Sequence, residues 1–124
     1  MNNNQLSFCT FIPHKNNITE VKFNADITID VDMVDQYHRW LDEQHSDDFG
    51  ILVNKTNHYT YTFDAQLKLG RIDKMKIAAF LVQDRSTEIA IDSLMGIKQR
   101  RQIDYEIFYD HDHALNWLDE KLAS

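Results

Sequence analysis

Four potential metal ligands stand in a row near the end of the sequence, as Asp110-His111-Asp112-His113. Two histidines separated by one residue can hold a metal ion from one side, but a zinc site needs a third and usually a fourth ligand. The remaining histidines occur singly, and no third ligand for His111 and His113 is identifiable in the sequence. We therefore expect no metal site and no cofactor, and we expect Asp110 or Asp112 to cap a helix.

A second polar segment, Gln-Asp-Arg-Ser-Thr at residues 83–87, is suited to a phosphate or a carboxylate. Free amide groups at a helix N-terminus attract anions, and Arg85 would add a positive charge. Helix capping alone explains the Asp, Ser and Thr, however, and the sequence has no glycine-rich phosphate loop. A third cluster, Lys98, Arg100 and Arg101, lies in the last turn of a predicted helix, where cations are favoured, and we expect it to be solvated.

No set of residues in the sequence indicates covalent catalysis. A nucleophilic site brings Ser or Cys together with His and a carboxylate, and no Gly-x-Ser-x-Gly turn occurs. Cys9, the only cysteine, lies in a predicted strand, where we expect a reduced, small apolar side chain. We assign no catalytic residue and expect no enzymatic activity.

Length and charge narrow the classes of partner. With 124 residues, 43% of them hydrophobic and 27% charged, the chain is expected to form a single domain over residues 1–124. Its net charge of -7 repels polyanions, so we expect no nucleic-acid partner. The absence of a long apolar run and of a signal peptide predicts a cytoplasmic protein without membrane insertion.

Alternating side chains at residues 6–12 predict a strand, and Pro13 is expected to end it because proline cannot donate to a sheet. A turn over residues 14–17 would lead into a second strand at residues 18–23, which completes an antiparallel hairpin. After Asp30 the apolar period becomes helical, with Asp30 or Asp32 as the N-cap.

Two uninterrupted apolar runs, at residues 51–53 and 77–82, predict central parallel strands that are covered on both faces. A short helix at residues 63–69 would end at Gly70, and a last strand is expected at residues 105–109. Helices opened by the polar segments at residues 84–87 and 110–112 complete the pattern. The order predicts an α/β fold with a mixed, mostly parallel sheet of about five strands and about four helices.

This element order, the strand at residues 77–82, the turn Asp84-Arg85-Ser86, the strand at residues 105–109 and the closing Ala-Leu-Asn-Trp-Leu at residues 114–118 resemble the STAS superfamily. Within it the chain is most similar to the bacterial SpoIIAA-like branch, which is also grouped with Sec14-like folds. The resemblance implies a mixed sheet packed with helices and a non-enzymatic regulatory or binding role.

The SpoIIAA-like regulatory device is a phosphorylatable serine in an Asp-Ser-Ser or Asp-Ser-Thr-Gly pattern after the strand that residues 51–53 would match. Here residues 54–63 read Asn-Lys-Thr-Asn-His-Tyr-Thr-Tyr-Thr-Phe, without that pattern. Thr60 and Thr62 stand in a comparable place, so they are the candidate phosphorylation sites. Helix capping is the competing interpretation of both hydroxyls.

Ligands of open α/β sheets gather outside the carboxyl ends of the parallel strands. The loops at residues 54–59, 83–87 and 110–113 are expected to meet there. The candidate binding residues on this rim are Lys55, His58, Arg85, Ser86, His111 and His113. We expect the rim to bind a protein partner or a second copy of the chain, and the alternative is a pocket for a small anionic or lipidic ligand.

Overall fold

The structure, a computed structural model, describes residues 4–14 and 17–123. Lys15 and Asn16, which belong to the predicted turn, lie outside the described residues. Over the described residues the elements are β1 (Gln5–Leu6), β2 (Cys9–His14), β3 (Ile18–Phe23), β4 (Thr28–Ile29), α1 (Val31–Gln44), β5 (Phe49–Asn54), β6 (Thr60–Tyr61), α2 (Phe63–Lys68), β7 (Met75–Leu81), α3 (Arg85–Met95), β8 (Asp104–Phe108) and α4 (His111–Ala123). None of the described helices is long and apolar enough to cross a bilayer.

The described strands form a main sheet in the order β1-β2-β3-β5-β7-β8. The first three strands are antiparallel, whereas β3, β5, β7 and β8 run parallel. Helices α1, α2 and α3 stand between successive parallel strands, because such strands need a crossover connection. The prediction of a mixed, mostly parallel sheet begun by a hairpin is confirmed, with six described strands in place of about five.

The additional strand comes from the start of the chain. Leu6 pairs with Cys9, so the strand predicted over residues 6–12 is itself a tight hairpin. The expectation that Pro13 ends a strand is wrong, since β2 runs through it and pairs it with Thr19. β1 pairs only with Cys9 and Thr10. β2 is therefore an edge strand at Pro13, where the missing N–H can face away from the sheet.

Strands β5 and β7 occupy the centre of the sheet, as their apolar sequences predict. Leu52 of β5 pairs with Ala79 of β7, and both side chains are fully buried. Side chains alternate between the two faces of a strand, so β7 contributes to two cores. Ala78 and Phe80 face the layer of α1, α2 and α3, while Ala79 and Leu81 pack against α4.

The helix ends follow the predicted capping chemistry. Asp30 caps α1, because its carboxylate accepts the backbone N–H of Met33. Trp40 of α1 stacks on Phe11 with the ring centroids 3.7 Å apart, which joins the helix to β2. After α2, Gly70 has a φ of 84°, a left-handed conformation that glycine adopts at low cost.

The expectation that the basic cluster is solvated is wrong for two of its three residues. Arg100 is only 6% exposed and donates to the Gln66 carbonyl. Arg101 Nη1 donates to the carbonyls of Ile72 and Met75 at 2.7 and 2.8 Å. These carbonyls lie in the last turn of α2 and in the chain from there to the start of β7, where helix carbonyls have no partner within the helix and buried carbonyls need donors. The two guanidinium groups meet that need.

A second sheet lies where the sequence predicts only a connection. Strand β4 pairs in parallel with β6, with Thr28 beside Thr60 and Ile29 beside Tyr61. The pairing fixes the chain before α2 against the chain before α1. It therefore gives the aromatic residues around β6 a defined position at the carboxyl ends of the parallel strands.

Candidate functional site

An open groove of about 880 Å³ lies on the α3 face of the sheet, at the carboxyl ends of the parallel strands. It runs between α3 and the segment that contains β6, and we call it the α3 groove. Three of the six predicted binding residues line it, namely Lys55, His58 and Ser86. The sequence therefore predicted one wall of the groove, at Lys55 and His58, and one end of it, at Ser86.

Lys55 has a fixed position within the α3 groove. Its ammonium group lies 4.5 Å from the ring centroid of Tyr59 and 5.0 Å from that of Tyr61, and it donates to the Tyr61 hydroxyl at 3.4 Å. Aromatic faces attract cations, so the two rings hold the charge at the groove wall. Neither tyrosine was among the predicted site residues, although both lie in the segment at residues 54–63.

The opposite wall of the groove is apolar and belongs to α3 and the turn after it. Ile91, Leu94 and Ile97 line it, with Ile91 buried and the other two partly exposed. Ile89, on the outer surface of the same helix, is 53% exposed. The groove thus combines an apolar wall with a cationic one.

The N-terminus of α3 already carries a negative group. Asp84 accepts the backbone N–H and the hydroxyl of Thr87, both at 2.8 Å. These hydrogen bonds, the backbone one first, hold the pKa of Asp84 below its usual value. Arg85 is exposed and pairs with Glu88 at 3.3 Å, outside the groove lining. The capping interpretation of residues 84–87 is confirmed for Asp84.

His111 does not join the α3 groove, because α4 packs on the other face of the sheet. Its Nε2 lies 2.8 Å from Oε1 of Glu20, and Nε2 of His14 lies 2.9 Å from the same oxygen. Asn54 donates to the second oxygen of Glu20 at 3.0 Å. We call these four residues the Glu20 cluster.

Glu20 is a buried carboxylate, 2% exposed, in a strand whose other buried side chains are uncharged. Burial by itself raises its pKa, but the hydrogen bonds from Asn54, His14 and His111 outweigh that effect and bring the pKa below its usual value. Sequence reasoning missed Glu20, His14 and Asn54. A charged residue inside the strand at residues 18–23 was the available signal.

Of the remaining predicted residues, His113 and Thr62 lie outside both the α3 groove and the Glu20 cluster, whereas Thr60 lines the α3 groove. His113 is exposed, and its backbone N–H donates to the carboxylate of Asp110. Thr62 caps α2 by accepting the Ala65 N–H at 3.2 Å, in agreement with the capping interpretation. Thr60 is exposed, and its hydroxyl lies 3.2 Å from that of Thr28. Phosphorylation of either threonine stays a prediction.

Two further features bear on the expectations for chemistry and for lipid binding. Burial raises the pKa of the Cys9 thiol to about 12, so this cysteine is held as a neutral thiol. A narrow, mostly apolar space between the sheet and the helices, lined by Phe23, Tyr37 and Phe80 among others, measures about 40 Å³. This space is far smaller than the several hundred Å³ of a typical ligand pocket.

No family model matches the sequence, and no curated protein matches it. Among solved structures, the chain is similar to an uncharacterized protein of the DUF3478 family from Shewanella loihica PV-4, which is described as having a SpoIIAA-like fold. The two share 16% identity over 89% of this chain and 91% of that chain, with a TM-score of 0.62. The resemblance drawn from the sequence is confirmed for the fold.

Proposed function

We propose that residues 1–124 form a single, cytoplasmic, STAS-like module that has no chemistry of its own and binds a segment of a protein partner in the α3 groove. The observation that carries this proposal is the groove itself. It is open along one side, it is about 880 Å³ in volume, and it lies at the carboxyl ends of β5 and β7. Binding sites of open α/β sheets favour that position.

The lining of the α3 groove favours a partner segment of mixed chemistry. An apolar side chain of the partner would pack between Tyr59 and the Leu94 wall, where apolar area becomes buried. An acidic side chain would approach Lys55, whose charge the two tyrosines hold in place. Tyrosine is among the residues enriched at the energetic centres of protein interfaces, and Tyr59 and Tyr61 offer two such side chains here.

Pairing with a second copy of the chain along the β8 edge of the main sheet is unfavourable. β8 forms that edge, and its side chains Asp104 and Glu106 are exposed. Two such edges would bring like charges together, which opposes pairing between sheets. We therefore assign the α3 groove, and not β8, to the interaction.

A small anionic ligand in the same groove is the second candidate, because Lys55 offers a positive charge there. The α3 N-terminus, which would otherwise attract such an anion, already holds the Asp84 carboxylate. The narrow, mostly apolar space of about 40 Å³ is too small for a lipid chain. These two observations favour the protein segment over the ligand.

A photo-crosslinking residue placed at Ser93, which is exposed and lines the α3 groove, tests the proposal in the protein's own cells. We expect a covalent adduct with one defined protein. The same residue placed at Glu106, on the edge of the sheet, should give no such adduct. Mass spectrometry of the adduct identifies the partner segment, which should carry apolar and acidic residues.

Lys55→Glu should abolish the Ser93 adduct because it reverses the charge at the groove wall. Lys76→Glu is the matched control, since Lys76 is exposed at the opposite end of β7 and the change in charge is the same. An adduct that persists in Lys55→Glu would contradict the proposal. Native mass spectrometry that shows a bound small molecule and no protein adduct would favour the second candidate.

A further inference from the structure

The Glu20 cluster brings together three metal-ligating side chains from distant parts of the chain. His14 ends β2, Glu20 lies within β3, and His111 begins α4. One ligand atom from each, two imidazole nitrogens and a carboxylate oxygen, lies within 4.8 Å of the others. We propose that His14, Glu20 and His111 bind one divalent transition-metal ion, for which Zn²⁺ is the probe.

The donor set and the distances fit such an ion. Two histidines and one carboxylate are ligands that Zn²⁺ and related first-row divalent ions take in proteins. Metal–ligand bonds of about 2.0 to 2.1 Å in a tetrahedral site place the ligand atoms roughly 3.4 Å apart. Both histidine nitrogens now lie 2.8 to 2.9 Å from Glu20 Oε1. Each histidine nitrogen would have to move about 0.5 Å further from Glu20 Oε1 to make room for the ion.

One contact in the cluster matches those that orient ligands in metal sites. Asn54 donates to Oε2 of Glu20 at 3.0 Å and leaves Oε1 for the ion. The Asp112 carboxylate lies 3.9 Å from Nδ1 of His111, which is too long for a hydrogen bond, and it adds a negative charge near the proposed cation.

Access from solvent is also present. A surface hollow of about 370 Å³ adjoins the cluster and is lined by His14, Asp112 and Leu115 among others. The side chains of His14 and His111 are 24% and 41% exposed, while that of Glu20 is 3% exposed. An ion can therefore enter from the hollow, and water can complete its coordination.

This site departs from the expectation drawn from the sequence. His111 was paired there with His113 and lacked a third ligand, whereas the fold turns His113 into solvent and supplies His14 and Glu20 instead. The site lies on the α4 face of the sheet, opposite the α3 groove. It is therefore independent of the proposed protein-binding function, and the failure of either leaves the other in place.

Equilibrium dialysis of untagged, chelator-treated protein against ZnCl₂, followed by elemental analysis, tests the site. We expect saturable uptake of about one zinc ion per chain, and a melting temperature that rises with zinc because the ion binds the folded state. Co²⁺ in place of zinc should give the visible absorption of a low-coordinate site with nitrogen and oxygen ligands.

His14→Ala and His111→Ala should each weaken zinc binding by about a hundredfold or more, since removal of a ligand exceeds the effect of removing an outer contact. His113→Ala is the matched control, because it removes a neighbouring exposed imidazole and should leave uptake unchanged. Both ligand variants should remain folded by circular dichroism. Failure of the native protein to take up zinc, or equal uptake by all variants, would show that the cluster is only a hydrogen-bonded structural network.

Discussion

Acidification should destabilise the folded protein through His38. Nε2 of His38 accepts the backbone N–H of Gly70 at 3.2 Å, so this nitrogen must be unprotonated in the native state. Burial, and to a lesser degree the neighbouring Lys68 and Arg100, lowers the pKa of His38 to about 4, although Asp35 acts in the opposite direction.

The sign of the effect follows from proton binding in the two states. An unfolded histidine titrates near 6.5, so below that pH the unfolded chain binds a proton that native His38 does not. Stability is therefore fully present above pH 6.5 and falls as the pH approaches 4. The pKa difference corresponds to about 2 kcal/mol lost between about pH 7 and pH 5, and to about 3 kcal/mol by about pH 4.

Urea denaturation followed by tryptophan fluorescence at about pH 7 and pH 5 measures this loss, because Trp40 is buried in the native state. His38→Gln is the control variant, since the glutamine carbonyl can accept the Gly70 N–H but does not titrate. We expect the variant to lose about 2 kcal/mol less than the native protein over this range. His45, whose pKa burial also lowers, contributes equally to both proteins. Parallel losses in the two proteins would refute the reasoning.

Three further substitutions test the packing, each by chemical denaturation. Phe80→Ala should cost about 3 to 5 kcal/mol because Phe80 is buried on the face of β7 that packs against the helices, and an unchanged midpoint would contradict that burial. Gly50→Ala should cost about 1 to 3 kcal/mol, since a Cβ there would lie 2.9 Å from Cγ2 of Ile77 and 3.2 Å from Cδ1 of Leu122 in α4. A more stable variant would show that α4 packs less closely on β5. Thr62→Ala should cost about 1 kcal/mol through loss of the α2 cap, whereas Thr62→Ser should not, and equal stability of the two would remove the capping role.

The sequence by itself determined the fold class and the principal strands and helices, although not β1, β4 or β6. The uninterrupted apolar runs of β5 and β7 predict buried parallel strands, and the helical spacing after Asp30 predicts α1 with Asp30 or Asp32 as its cap. These features depend on residues within one or two turns of each other, because backbone dihedral preferences, caps and burial periods act locally. Local chemistry also placed Thr62 and Asp84 among the candidate helix caps.

Two predictions from the sequence were wrong, one for Pro13 in the hairpin and one for the basic cluster at residues 98–101. Pro13 ends a strand by local rules, yet the short β1 leaves its position at an edge. Arg100 and Arg101 were expected to be solvated because they lie where a predicted helix ends. The carbonyls that they bind belong to residues about thirty positions earlier in the chain. Neither partner is visible from the spacing of nearby residues.

Only the tertiary structure decided which rim residues lie together. The sequence placed the loops after β5, β7 and β8 at one rim, but α3 and α4 pack on opposite faces of the sheet. Lys55 therefore joins the α3 groove, while His111 joins Glu20, from which it is separated by 91 positions in the chain. Convergence of that kind depends on strand register and on the face that each helix covers, and both are set by the packing of the whole domain.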